Sequence, residues 1–166
     1  TRYSSSAASD VYKRQGMYEM LQHPSALDQL QADPGSRIAL AREELLRWTS
    51  PVIYMRRTVT KPVSLGSVDL AVGDKVVMYY GAANRDPDRF ENPHQLDLSR
   101  DGERHIAFGG GHHVCLGQWF ARLEVDAIFV EVLRRMKDFQ ILESPEWMPS
   151  NFISGITRLP MGFSRR

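Results

Sequence analysis

A single cysteine follows a run of glycines in the second half of the chain. Cys115 is the only cysteine among the 166 residues, so no disulfide can form within the chain. It lies in the stretch 108–117, with the sequence FGGGHHVCLG, and a long helical pattern follows at once. Backbone N–H groups at the start of a helix favour a thiolate over a thiol. The chemistry that this predicts is a thiolate ligand for a soft metal centre or for a haem iron.

Three other interpretations apply to a stretch of this kind. A lone cysteine is most often a small buried apolar residue, and a Gly-rich turn before a helix can hold a phosphate. The sequence lacks both the Gly-Lys-Ser/Thr of a phosphate loop and the Gly-x-Gly-x-x-Gly that opens a dinucleotide fold. A zinc site needs about four ligands, and His112, His113 and Cys115 would make an incomplete set. The spaced pattern as a whole therefore favours haem-thiolate ligation.

The spacing resembles the haem-ligand loop of the cytochrome P450 monooxygenases, Phe-Gly-x-Gly-x-His-x-Cys-x-Gly. Every fixed position of that pattern is matched in this chain, by Phe108, Gly109, Gly111, His113, Cys115 and Gly117. The resemblance implies that Cys115 is the axial ligand of the iron of haem b. It also implies that His113 donates a hydrogen bond to a haem propionate. The glycines let the backbone approach a flat ring and adopt positive φ, and Phe108 would keep water from the iron–sulfur bond.

A charged pair on a predicted helix is the second feature of interest. The apolar spacing predicts a helix over 38–48, which a Ser-Pro pair ends. Glu44 and Arg47 lie three residues apart on one face of this helix and can form an ion pair. An isolated pair of this kind is most often solvated. The family resemblance implies instead a buried cluster of Glu44, Arg47 and a later basic residue, Arg100, with a structural rather than a catalytic role.

An extended segment is predicted over 51–60, because this stretch is rich in apolar and β-branched residues. The resemblance implies that the segment passes beside the haem and that Arg57 pairs with a propionate. Arg56 is the alternative for that pairing. It also implies a C-terminal β-hairpin over 150–161 whose tip enters the substrate pocket. The pocket residues expected from the two segments are Val52, Ile53, Tyr54, Ser154, Gly155 and Ile156.

The remaining elements complete an α+β pattern that is mainly helical. Small β structure is predicted over 63–80, and a loop-rich meander follows over 83–93. A long helix is expected after Cys115, with its polar side chains in solvent and with Trp119 and Phe120 in the core. Its apolar positions recur at helical spacing, at Leu116, Trp119, Phe120, Leu123, Ala127, Val130 and Leu133. In this order the elements resemble the C-terminal part of the cytochrome P450 fold.

The first fifteen residues do not fit the resemblance. Their sequence, TRYSSSAASDVYKRQ, has no apolar periodicity, so 1–15 are predicted to be a disordered tail or an artefact. A helix is expected over 17–30, interrupted near a His-Pro pair. Residues 16–166 are predicted to be the C-terminal haem-binding portion of a P450 domain. The family's helix on the oxygen side of the haem has no counterpart here, so the chain by itself is expected to be inactive.

The composition narrows the class of protein. The chain is 42% hydrophobic, 25% charged and formally +1, as in an ordinary globular domain without a strong field for nucleic acid. No apolar run approaches the ~20 residues that span a bilayer, and no signal peptide is evident. One cysteine fits a reducing compartment, so a cytoplasmic location is expected. The resemblance implies a bacterial-type enzyme, monomeric when intact, with a ferredoxin or flavodoxin-type electron donor.

The predicted function is therefore that of a haem-thiolate monooxygenase. A thiolate ligand favours O–O cleavage at the iron, and one oxygen atom of O₂ would enter an apolar substrate. The segments 51–55 and 151–156 resemble those of bacterial relatives that act on sterols and branched lipids. Two alternatives stay open at the level of sequence. One is a module that binds or senses haem without oxygenation, and the other is a non-functional truncated product.

Overall fold

The protein is described here by a computed structural model that covers residues 5–101 and 104–166, with side chains from residue 11 onwards. Three helices open the chain, and a short helix and a long one come later. Their bounds are α1 Ser5–Gln22, α2 Pro24–Ala32, α3 Pro34–Thr49, α4 Tyr80–Ala83 and α5 Gln118–Arg135. A single turn of 3₁₀ helix, Gly111–His113, lies within the Cys115 loop. The eight strands of the described residues are β1 Tyr54–Thr58, β2 Val63–Leu65, β3 Val68–Leu70, β4 Lys75–Tyr79, β5 Met136–Ile141, β6 Glu146–Trp147, β7 Ile156–Arg158 and β8 Met161–Arg165.

The strands form small antiparallel pairs rather than one sheet. Within the described residues the pairs are β1 with β4, β2 with β3, β5 with β8, and β6 with β7. Strand β1 pairs with β4 in a register that places Arg57 opposite Val76. These elements confirm the predicted fold class, an α+β fold that is mainly helical.

The helices α1, α2, α3 and α5 enclose the main apolar core. Helix α3 begins after Asp33, whose side chain accepts a hydrogen bond from the Ser36 N–H. It ends at Ser50, which adopts a left-handed conformation with φ 37°. The fully or almost fully buried residues at the centre are Met17, Met20, Leu30, Ala41, Leu45, Val125, Phe129 and Leu133. The predicted helix over 38–48 is therefore part of a longer helix, one face of which packs into the core while residues such as Arg37 and Leu40 stay exposed.

Helix α1 corrects the prediction for the start of the chain. Residues 5–15 are helical and continue without a break to Gln22, so the prediction of a disordered tail is wrong for them. Val11 and Gln15 are buried, with 2% and 4% of their surface exposed. Residues 1–4 lie outside the described residues. The segment is helical although it lacks apolar periodicity, because tertiary packing of a few side chains such as Val11 stabilises this part of the helix. That the segment is an artefact stays a prediction.

Helix α5 forms where the sequence predicts a helix, but a different stripe of it faces the core. Leu116 before the helix and Trp119 and Phe120 in its first turn are 98%, 73% and 66% exposed. The buried residues are Val125, Phe129 and Leu133. The prediction that Trp119 and Phe120 lie in the core is therefore wrong for this chain. Apolar residues occur on more than one face of α5, so periodicity alone does not say which face packs on α1 and α3.

A buried ion cluster joins α3 to the irregular segment that follows β4. The Glu44 and Arg47 side chains are both 1% exposed, and Arg47 Nε lies 2.7 Å from Glu44 Oε2. Arg47 Nη2 donates a second bond, of 2.8 Å, to Glu44 Oε1. Arg100 Nε reaches Glu44 Oε2 at 3.1 Å. The structure thus brings together the three residues that the family resemblance implies.

The same cluster holds the meander in one conformation, although most of the meander has no regular secondary structure. Arg47 donates to the carbonyl oxygens of Asn84, Pro93 and Gln95, at 2.7, 3.0 and 3.2 Å. The Asp97 N–H donates to Glu44 Oε1 at 3.0 Å. Because a buried guanidinium needs acceptors for all its N–H groups, these bonds fix the path of residues 84–100 against α3.

The backbone of the Cys115 loop folds back on itself. The Cys115 N–H donates to the Phe108 carbonyl at 2.8 Å, and the Gly109 N–H donates to the Ile106 carbonyl at 2.7 Å. Gly109 and Gly111, with φ of +72° and +58°, lie in the left-handed region. A Cβ on Gly109 would lie 3.0 Å from the His113 carbonyl oxygen and 3.1 Å from Tyr80 Oη. Glycine is therefore needed at position 109 by both conformation and space.

Replacing Glu44 should destabilise the whole domain. Glu44→Gln leaves two arginines without their anion in a buried place, so we expect the free energy of unfolding to fall by roughly 3–5 kcal/mol. Urea unfolding followed by circular dichroism measures this change. The control is Glu131→Gln, because Glu131 and Arg135 form a pair that is 51% and 76% exposed. Exposed pairs contribute about 0–1 kcal/mol, so similar losses in the two variants would contradict a structural role of the cluster.

Two neighbouring glycines in the loop provide a matched comparison. Gly109→Ala should lower the free energy of unfolding by about 1–3 kcal/mol, since alanine is strained at this φ and its methyl group meets the His113 carbonyl. Gly110 is extended, with φ −157°, and a Cβ there would meet nothing within 4 Å. Gly110→Ala should therefore change stability by less than about 0.5 kcal/mol. Thermal unfolding of the two variants measures the difference. A larger loss of stability in Gly110→Ala than in Gly109→Ala would show that the loop backbone does not have the conformation described.

Candidate functional site

The Cys115 thiol lies at the surface, on the folded-back loop. Cys115 is free and exposed. No other atoms cover the glycine backbone of the loop near Cys115, because a Cβ built on Gly110, Gly111 or Gly117 would meet nothing within 4 Å. The loop therefore presents a nucleophilic side chain on a surface that a flat molecule can approach closely.

Apolar side chains flank this thiol along the chain and remain exposed. Val114 and Leu116, on either side of Cys115, are 42% and 98% exposed. Trp119 and Phe120, in the first turn of α5, are also exposed. Apolar surface of this kind next to a reactive group marks a place where another apolar group binds or packs.

Phe108 supports the loop from the inside. Its side chain is 7% exposed, and its carbonyl accepts the Cys115 N–H. The Arg122 guanidinium lies over its ring at 4.7 Å, and the His105 ring is 6.2 Å away, centroid to centroid. Phe108 is thus a buried aromatic residue whose backbone is bonded to that of Cys115, with a cation on the face of its ring.

A second ion network lies beside Phe108, and sequence reasoning missed it. The Glu43 carboxylate accepts hydrogen bonds from His105, Arg122 and Arg42. Burial alone would raise the pKa of Glu43, but these three hydrogen bonds hold it well below its usual range. Burial does raise the pKa of Asp126, which pairs with Arg42. The prediction that the polar side chains of α5 face solvent is wrong for Arg122 and Asp126, because both pair with residues of α3.

No local signal could have revealed this network. Glu43 and Arg122 are 79 residues apart, and each has a different oppositely charged residue four positions along its own helix, Arg47 and Asp126 respectively. They meet because α3 and α5 pack against each other.

The predicted propionate partners are both accessible to a bound group. His113 lies exposed at the end of the 3₁₀ turn. Arg57 is half-buried on β1, and its Nη1 donates to the Arg56 carbonyl at 3.0 Å. Arg56 is exposed and points to the opposite face of the strand from Arg57. The roles of His113 and Arg57, with Arg56 as the alternative, stay predictions.

The two segments predicted to line the substrate pocket run side by side. Val52 and Ile153 form an antiparallel bridge, and the Ile53 N–H donates to the Phe152 carbonyl at 2.9 Å. The Ser154 N–H donates to the Pro51 carbonyl at 2.8 Å. The Tyr54 ring packs edge-on against the Phe152 ring, with centroids 5.9 Å apart. The segments 51–54 and 152–154 therefore form one continuous ledge.

Two residues of the predicted pocket require correction. Ile156 has 0% of its surface exposed, and a Cβ on Gly155 would lie 2.7 Å from a methyl carbon of Val11. Both residues are covered by α1, because β7 pairs with β6 and packs against that helix. Gly155 is also not the turn glycine of a hairpin, since its role is close packing. In this chain neither residue faces an open pocket.

The donor set fits a prosthetic group that brings ligands of its own. Among residues 5–101 and 104–166, no three His, Cys, Asp or Glu side chains are grouped so that they could hold a metal ion. A haem iron is held by its ring and needs a single strong ligand from the protein, such as a cysteine thiolate. The bare glycine backbone and the exposed apolar side chains beside Cys115 suit a flat, largely apolar ring. The residues present therefore fit a haem.

No helix within the described ranges is sufficiently long and apolar to cross a bilayer.

Curated relatives with related functions match almost the whole chain. The methyl-branched lipid omega-hydroxylase of Mycobacterium tuberculosis is 41% identical over 150 residues, which are 90% of this chain and 35% of that protein. The steroid C26-monooxygenase of Rhodococcus jostii is 38% identical over 149 residues, 89% of this chain and 31% of that protein. The chain thus spans about a third of the length of these relatives.

Solved structures share the backbone described above. P450BioI, solved in complex with an acyl carrier protein ligated to hexadec-9Z-enoic acid, superposes with a TM-score of 0.89 and 34% identity over 92% of this chain and 40% of that one. The cytochrome P450 PksS of Bacillus subtilis 168 gives 0.88 and 35%, over 94% and 42%. The family model described as "Cytochrome P450" matches residues 41–163, which include both the Glu44 cluster and the Cys115 loop. The chain therefore belongs to the cytochrome P450 family.

Proposed function

We propose that this chain forms the thiolate side of a monooxygenase that carries haem b on the Cys115 loop. The whole protein would insert one oxygen atom of O₂ into an apolar substrate. One observation carries the proposal, which is the loop that bears the exposed, free Cys115. Its two left-handed glycines are fixed positions of the family motif, and so are Cys115 and Phe108, which are joined by a backbone hydrogen bond. A bound haem would supply the activation of oxygen, which a thiolate ligand favours.

The chain's own residues would hold the haem in distinct ways. Cys115 would ligate the iron, and Gly109, Gly111 and Gly117 would let the backbone and the start of α5 lie close to the ring. Phe108, buried behind the loop, would keep water from the iron–sulfur bond. These are roles of binding and exclusion, so no further catalytic side chain is proposed on this side.

His113 and Arg57 are proposed to bind the haem propionates. Both side chains are accessible, and a hydrogen bond from a cationic group to a carboxylate is stronger than one between neutral groups. His113 belongs to the loop itself, whereas Arg57 belongs to β1. A ring held by both would be anchored to two separate parts of the fold.

The substrate is proposed to be a lipid or sterol-like molecule. The relatives above are named for a methyl-branched lipid and a steroid, and the P450BioI structure holds a fatty acyl chain on its carrier protein. The ledge formed by Val52, Ile53, Tyr54 and Ser154 supplies mostly apolar surface, as binding sites for such ligands do. Gly155 and Ile156 are not included, because α1 covers them.

Further proposals concern the setting of the enzyme. We expect electrons to come from a ferredoxin or flavodoxin-type donor and the whole protein to be a monomer, as the family resemblance implies. We expect a cytoplasmic location because a single cysteine fits a reducing compartment. Residues 16–166 are proposed to be the haem-binding portion of a P450 domain. Turnover is proposed only for a protein with the length of the relatives, because this chain spans about a third of that length.

Cysteine replacement tests the ligand. After loading with haem and reduction under carbon monoxide, the chain should show the red-shifted Soret band of thiolate ligation, without substrate-coupled oxygen consumption. Cys115→Ser should lose that band, since a hydroxyl does not ligate the iron as a thiolate does. The control His112→Ala changes a variable position of the loop and should keep the band. A band that persists in Cys115→Ser would refute the ligand assignment, and coupled oxygen consumption by this chain would refute the need for further length.

Haem retention tests the propionate partners. Arg57→Ala and His113→Ala should each release haem to an acceptor protein about tenfold faster, since a hydrogen bond to a charged group contributes about 1.5–3 kcal/mol. Arg56→Ala is the matched control on the opposite face of β1 and should release haem at the wild-type rate. If only Arg56→Ala speeds the loss, Arg56 is the partner instead of Arg57. Haem loss at the wild-type rate in all three variants would show that none of these residues anchors the ring.

A further inference from the structure

We propose that Glu43 is a positioning residue for the Cys115 loop. Its carboxylate ties the segment before the loop to the helix after the loop, and thereby fixes where the thiolate sits. This inference rests on the proposed function, in which the thiolate is the haem ligand. The hydrogen bonds described for Glu43 join it to Arg42, His105 and Arg122 rather than to Cys115, so its effect passes through the residues that it holds.

The first step is the geometry of the two ties. Glu43 Oε2 lies 3.1 Å from His105 Nε2, and His105 comes three residues before Phe108. Arg122, seven residues after Cys115, donates from Nε to Glu43 Oε1 at 2.8 Å and from Nη2 to Oε2 at 2.9 Å. One carboxylate on α3 therefore closes the base of the loop from both ends.

His105 transmits this position into the loop backbone. Its side chain is 3% exposed, and its Nδ1 accepts the Ala107 N–H at 3.1 Å. Because Nδ1 is an acceptor, Nε2 carries the proton and donates to Glu43. A neutral imidazole with both nitrogens engaged thus connects Glu43 to the residue directly before Phe108.

Arg122 transmits the same position from the other side. Its two parallel bonds to Glu43 fix the plane of the guanidinium, as is usual for a bidentate arginine–carboxylate pair. That plane lies over the Phe108 ring at 4.7 Å and near the Trp119 ring at 5.3 Å. Phe108, whose carbonyl accepts the Cys115 N–H, therefore lies next to two groups that Glu43 orients, Arg122 and His105.

A local role for Glu43 is distinct from the general structural role of Glu44. The Glu43 side chain is 32% exposed, whereas the Glu44 side chain is 1% exposed. The partners Arg122 and His105 are 15% and 3% exposed, but water reaches the Glu43 carboxylate, so losing its charge should cost less stability than losing that of Glu44. Arg42 adds a bond to Glu43 and an ion pair to Asp126, so the network also couples α3 to α5. Loss of the Glu43 charge should therefore loosen the loop much more than the fold.

Hydrogen exchange of the haem-free 166-residue chain tests this directly. In Glu43→Gln, amides of residues 106–115 should exchange about tenfold faster, because charged hydrogen bonds at the base of the loop are weakened. Amides of the β1–β4 pair should exchange as in the wild type. Glu43→Asp keeps the carboxylate and should recover part of the protection. Arg122→Lys, which keeps the charge but not the bidentate bonds, should fall between Glu43→Gln and wild type.

Exchange at an exposed pair provides the control. Glu131→Gln, a change at an exposed pair on α5, should leave exchange of 106–115 unchanged. Wild-type exchange of 106–115 in Glu43→Gln would refute the proposal. Equal loss of protection in the β1–β4 pair would also refute it, since Glu43 would then act on the fold as a whole.

A spectroscopic measurement on the haem-loaded chain separates this proposal from the proposed function. Under carbon monoxide the red-shifted Soret band should decay to the form without thiolate ligation about tenfold faster in Glu43→Gln than in wild type or Glu131→Gln. A wild-type chain that never shows the band would refute the proposed function, while the exchange result would still decide the positioning role. Equal decay rates would refute the link between Glu43 and the thiolate.

Discussion

The fold depends on one constraint, the burial of an arginine in the core of a small domain. A guanidinium has five N–H donors, and each must find an acceptor once water is excluded. Arg47 meets this demand with the Glu44 carboxylate on its own helix and with carbonyl groups of the meander. Because these carbonyls belong to residues 84–95, a segment without regular secondary structure is held in one conformation. The Phe90 ring, which lies 5.2 Å from the guanidinium carbon, closes the site further.

A continuous set of polar contacts leads from this cluster to the segment before the Cys115 loop. Asn84 has 0% of its surface exposed, and its carbonyl accepts from Arg47. Its side chain donates to Ser50 Oγ at 2.8 Å and accepts the Ile106 N–H at 2.8 Å. The uncharged Asn84 side chain therefore joins the end of α3 to the segment before Phe108, and its backbone belongs to the meander. With the Glu43 network on the other side, the loop that carries Cys115 is attached to α3 through two independent groups.

The distribution of polarity around the loop is the reverse of that in an ordinary surface turn. Partly buried charged groups such as Arg122 lie next to Phe108, and apolar groups such as Leu116 and Phe120 are exposed near the cysteine. These charges hold the backbone, and the exposed apolar residues leave a surface that favours contact with an apolar partner. A family that places a flat ring on a cysteine needs both features. Membership of the cytochrome P450 family explains why apolar surface surrounds the cysteine, and the charged residues next to Phe108 explain how the loop keeps its conformation.

The sequence by itself determined the features that depend on local spacing. These are the motif around Cys115, the left-handed glycines within it, the pairing of Glu44 with Arg47 one helical turn apart, and the approximate extent of α3 and α5. Resemblance to the family added Arg100, which no local pattern indicates. Only the tertiary structure decided which face of α5 is buried, that α1 includes residues 5–15, that Gly155 and Ile156 are covered, and that Glu43 meets Arg122 across 79 residues. The physical reason is that local spacing sets the geometry within one element, whereas burial and long-range pairing depend on how separate elements pack together.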